Sequence, residues 1–119
     1  MKYRLLIFLA ATLAFHVTAR AQTQVPSLIN YQGYVANNAG VPIGDGAPEN
    51  RTVTFRFWNS PSDLTAASRL WSESQAVTIL DGDFSVLIGS GAAVAGEVNS
   101  AATLAEVFSA PEIFLGITV

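Results

Sequence analysis

Val77-Thr78-Ile79-Leu80-Asp81-Gly82-Asp83-Phe84-Ser85-Val86-Leu87-Ile88 contains two β-rich runs separated by an Asp-Gly pair. Val77 and Ile79 share one parity in the first run, and Phe84, Val86 and Ile88 share one in the second. A period of two puts alternate side chains on one face of a strand. Asp81-Gly82 is a strong hairpin signal, because a type I′ turn needs positive φ at both central positions and this pair tolerates it. The stretch predicts an antiparallel hairpin with Asp81 and Gly82 at its tip, and it sets the class: strands joined by tight turns.

Upstream, the strand pattern extends back to Leu70, with Trp71 on the parity of Val77 and Ile79. Glu73 and Gln75 share that parity, so this half is expected to run past the core. In Thr52-Val53-Thr54-Phe55-Arg56-Phe57-Trp58, Val53, Phe55 and Phe57 point one way, while Thr52, Thr54, Arg56 and Trp58 point the other. Leu28 to Val35 predicts a further strand, Asn37 to Gly40 a turn built on residues that accept positive φ, Val41 to Ile43 an edge segment, and Gly44 to Asn50 a loop. Downstream, the small residues of Gly89 to Asn99 suggest a flexible linker. Thr103-Leu104-Ala105-Glu106 fits a capping box, opening a short helix across the sandwich mouth that Pro111 stops. Ile113, Leu115, Ile117 and Val119 alternate as a last strand facing inward, with Phe114 expected beneath the helix. Five strands and one brief helix argue for an all-β, mainly antiparallel, small β-sandwich.

The chain opens on a basic start, Met1-Lys2-Tyr3-Arg4, then an apolar run from Leu5 to Leu13. Ala19-Arg20-Ala21 places small residues at the −3 and −1 positions of a signal peptidase site. Residues 1–21 are therefore expected to be a signal peptide cleaved after Ala21, residues 22–27 a flexible lead-in, and residues 28–119 the domain. The implied location is secreted or cell-surface, with no membrane association in the mature form. From Gln22 onward, three arginines stand against nine carboxylates, and there is no cysteine. Such a chain must hold itself together by its core, which is feasible above roughly 70–80 residues. The acidic balance argues against nucleic acid, whose recognition needs a basic footprint.

Histidine and lysine are also missing from Gln22 onward, which removes Ser-His hydrolysis and Schiff-base chemistry. Asp81-Gly82-Asp83 is the clustered acidic pair. A calcium loop would need further oxygen ligands at fixed spacing, and the turn alone accounts for these residues. No catalytic, cofactor or metal residue is assigned, and no cofactor is implied. Trp58 and Trp71 are the candidate ligand or interface residues. Packing or an interface is favoured, and sugar stacking on an exposed tryptophan is the alternative, with glycans as its partners.

The order of segments carries a resemblance. Ile29-Asn30-Tyr31-Gln32-Gly33-Tyr34, Gly40-Val41-Pro42, Thr54-Phe55-Arg56-Phe57-Trp58, Leu70-Trp71-Ser72-Glu73-Ser74-Gln75, Gly82 to Gly89 and Phe114 to Val119 together resemble the N-terminal β-domain of long secreted bacterial surface proteins. Some of those proteins end in a tail-fibre region with an endosialidase-type chaperone. The resemblance implies a non-catalytic structural or adhesive module, partnered by other domains of a longer parent chain or by self-association. In that family a further "E-M-x-P-R" segment follows the last strand, so the chain is expected to be a first domain or a truncated frame.

Overall fold

Alternation along β2 (Glu49–Trp58) puts Val53, Phe55 and Phe57 on one face, all buried, and this strand organises the domain. The computed structural model describes residues 27–119; the expected signal segment with Ala19 and Ala21, and residues 22–26 of the lead-in, lie outside the described residues. The elements are β1 (Ile29–Tyr34), β2, β3 (Arg69–Ile79), β4 (Asp83–Ile88), the helix α1 (Leu104–Val107) and β5 (Phe114–Thr118). All pairings are antiparallel. They form a three-stranded sheet in the order β3-β2-β5 and a two-stranded sheet of β1 and β4. The small all-β domain with one short helix is as the periodicity predicts.

The two sheets enclose one core. Val53, Phe55 and Phe57 of β2 and Val77 and Ile79 of β3 face Phe84, Val86 and Ile88 of β4. Tyr31 of β1 bridges the layers, its ring centroid 6.1 Å from both Phe55 and Phe84. Leu104 and Val107 of α1 are buried in the same cluster, and Phe108 meets Phe57 edge-on at 5.7 Å. The helix starts as its sequence predicts: Thr103 Oγ1 accepts from the Glu106 N–H, while the Glu106 carboxylate accepts from Ala102.

The expected hairpin needs a correction. Its turn forms, with Asp81 at φ 51° and Gly82 at φ 88°, and Leu80 and Asp83 exchange both backbone bonds. The ladder stops at that bridge. Beyond it β3 pairs with β2 and β4 with β1, so the turn is a corner between sheets. In one ladder the apolar faces of both strands would lie side by side and need a cover; in separate layers they cover each other. The corner is fixed from outside. Asp81 N–H donates to the Gly44 carbonyl and Gly82 N–H to that of Ile43, both at 2.9 Å, while the Asp81 carboxylate accepts from Gly46 N–H.

Three other expectations change. The first half of β3 does not run past the core, since Glu73 is only 1% exposed. Residues 89–99 are not a free linker, because they line β3 through hydrogen bonds. The inward face of β5 is not fully covered: Ile117 and Val119 are exposed. Phe114 pairs with Trp58 on the opposite face of the sheet, away from α1, because antiparallel partners share a face and Trp58 has the outer parity.

Candidate functional site

The outer face of the three-stranded sheet carries an open cleft of about 490 Å³. Its wall is built from β2 (Arg56, Trp58), the start of β3 (Arg69), Ser60, Pro61 and Leu64 of the connection between them, Glu97 and all of β5. Two of the three arginines after Gln22 therefore meet here. β2 alternation puts Arg56 and Trp58 on the same side. A register shift between Phe57 and Trp58 sets Trp58 opposite Arg69 rather than Leu70.

Glu97 holds the arginines together unequally. Arg56 donates from Nε to both carboxylate oxygens, at 3.0 and 3.2 Å, and from Nη2 to Oε1 at 2.9 Å. Its Nη1 reaches Thr118 Oγ1 on β5. Arg69 has only its Nε 3.4 Å from Glu97 Oε2, without hydrogen-bond geometry. That Nε is the one fully buried side-chain nitrogen or oxygen among the described residues left without a hydrogen bond. The Arg69 side chain is 11% exposed, and its guanidinium carbon lies 5.9 Å from the Trp58 ring centroid, in cation–π range. The Arg56 hydrogen bond, aided by the charges of both arginines against the opposing effect of burial, holds the Glu97 carboxyl below its ordinary range. Two guanidiniums around one carboxylate leave this cleft with a local positive charge.

Trp58 takes its expected side of the sheet, but it is not an exposed platform. It is 7% exposed, with Arg69 over its ring and Gly116 of β5 beside it. A Cβ on Gly116 would stand 3.1 Å from Trp58 Nε1, so glycine there lets β5 pass close to the indole. Trp71 is half-buried against the core, its indole N–H donating to Glu73 Oε2 at 3.1 Å. Neither ring offers the open face that stacking on a sugar requires. Asp81 and Gly82 lie at the corner between the sheets and are not part of the cleft lining.

Sequence reasoning missed Glu97 and Arg69. Both sit outside the strands' clean alternation, at the first residue of β3 and in a segment of small residues. A hint was available in the scarcity of cations: each arginine in so acidic a chain needs a neighbour.

Glu73, unlike the half-buried Glu97, is a fully buried carboxylate and behaves differently. It accepts from Trp71 Nε1, from Gln75 Nε2 at 2.7 Å and from Gly89 N–H through both oxygens. These neutral donors tie β3 to the end of β4. Among the described residues no group of three acidic or histidine side chains is arranged to hold a metal ion.

A model for a domain of unknown function (DUF8740) matches residues 30–119. Among curated proteins and solved structures there is no significant match.

Proposed function

The chain belongs to the family of the domain of unknown function DUF8740, and on that premise we propose that it is a non-catalytic module of an exported protein, structural or adhesive in role. It works by contact with other polypeptide. The observation that carries this reading is the contrast between the sheet's two edges. Residues 92–101 cover the outer edge of β3, whereas β5, among the described residues, pairs with β2 alone and has the cationic cleft beside it. An open edge with a charged wall is suited to binding a strand or a neighbouring domain. The leader-like residues 1–21 and the acidic, cysteine-free remainder support export.

Purified chain starting at Gln22, incubated with a broad panel of hydrolase substrates, is expected to show no turnover; robust activity would overturn the proposal. Glycan-array binding that disappears on Trp58→Ala, with the circular dichroism spectrum intact, would replace it with carbohydrate recognition.

A further inference from the structure

The cleft has a specific incompleteness. Arg56 occupies the aligned acceptor positions of Glu97, leaving Arg69 with one misaligned neighbour and a buried Nε lacking a hydrogen bond. A buried charged donor in that state is costly. The Nε itself is closed to an incoming group, but the side chain keeps 11% exposure. A second carboxylate in the cleft, meeting the exposed part of the guanidinium, would offset the charge. The geometry of the surrounding wall favours a particular carrier. Five consecutive residues of β5 line the cleft, and among the described residues no backbone bond reaches the strand's far edge. An acidic sugar would want an aromatic face, and Trp58 presents none because it is 7% exposed. Among the described residues β1 also pairs on one side only, but their arginines are elsewhere: Arg51 pairs with Glu49 at 2.6 Å, and the other two line this cleft.

We propose that the cleft docks an extended acidic polypeptide segment, whose backbone adds as a strand to β5 while one of its Asp or Glu carboxylates pairs with Arg69. The inference rests on the contact-module reading and names the partner for it. Backbone pairing supplies sequence-independent affinity, and the carboxylate supplies selection. Gly116 serves both, since it keeps the wall between β5 and Trp58 thin.

The test uses the full chain and two blocked octapeptides, one alternating Thr and Asp, the other alternating Thr and Asn. Calorimetric titration should give about tenfold tighter binding of the Asp peptide, the size of one charge-assisted hydrogen bond. The preference should shrink as salt rises and vanish in Arg69→Gln. Methylating alternate backbone nitrogens of the Asp peptide should abolish binding. Should Arg69→Gln fail to fold, the Asp/Asn and N-methyl comparisons on the parent chain still decide. Equal binding of the two peptides, or no binding of either, overturns the proposal, as does a preference that survives Arg69→Gln. Saturable binding of an oligogalacturonate in place of the peptide overturns it too. A chain that shows no turnover yet ignores the Asp peptide loses this assignment while the contact-module reading stands.

Discussion

The three-stranded sheet has two edges treated in opposite ways. Along β3 the chain returns to cover its own backbone. Ala101 N–H donates to Leu70 O, Asn99 accepts from Ser72 N–H at 2.7 Å and donates back to Ser72 O, and Ala92 exchanges both bonds with Ser74. Asn99 behaves as a piece of strand supplied by a side chain. Along β5 nothing equivalent occurs among the described residues. The two carboxylates of the sheet differ in the same way: Glu73 is saturated by neutral donors, whereas Glu97 is shared between two arginines and satisfies one of them. A fully bonded buried carboxylate locks structure, while a partly bonded charge cluster keeps the capacity to bind something else.

The largest test breaks the closed side. Glu73→Ala strands Trp71 Nε1 and the Gly89 N–H and leaves Gln75 Nε2 with the Leu87 carbonyl alone, and should lower urea-unfolding stability by about 3–5 kcal/mol. Glu73→Gln should lose less than half as much; equal losses would mean that side-chain volume rather than hydrogen bonding holds this edge.

Gly82→Val strikes the corner that keeps β3 and β4 in separate layers. Gly82 sits at φ 88° and its missing Cβ would run into the Tyr34 ring, so a loss of about 2–4 kcal/mol is expected. A melting temperature within a degree or two of the parent would show that the corner yields at little cost.

Opening the β3 edge directly is milder. Asn99→Ala removes the partners of Ser72 N–H and C=O and should lose about 1–2 kcal/mol. If edge cover is its role, the variant should also self-associate more in sedimentation than the parent, as a newly opened edge does. A destabilised but strictly monomeric variant would reduce Asn99 to a local fastening.

The smallest effect is electrostatic. Because the folded-state pKa of Glu97 is lowered, chiefly by Arg56, the unfolded chain takes up this proton first on acidification. The stabilisation is therefore complete above the ordinary glutamate value of 4.5 and is lost as pH falls through the lower folded value. The stability difference between parent and Glu97→Gln should be constant near neutrality and narrow below about pH 4.5. A gap that does not change with pH would remove the charge from the account of this cleft.

Much of this was legible from local pattern. Val53, Phe55 and Phe57, and Phe84, Val86 and Ile88, declare their faces through a period of two that needs no tertiary context, because side-chain direction alternates along any extended chain. Asp81-Gly82 declares its turn through positive φ, again a local property. The five strands, the short capped helix and the all-β class follow from such features.

Pairing partners were decided only by the assembled fold. A tight turn says that two strands diverge from one point, not whether they stay in one ladder. Here mutual burial of their apolar faces sends them to different sheets. Glu73 looked like the outer end of β3 by residue type, and was buried because Gly89 N–H came to it from β4. Arg56, Arg69 and Glu97 lie far apart in the chain, and no local spacing could have joined them. Periodicity fixes which way a side chain points, whereas its neighbours depend on long-range register, set by the joint burial of the whole core.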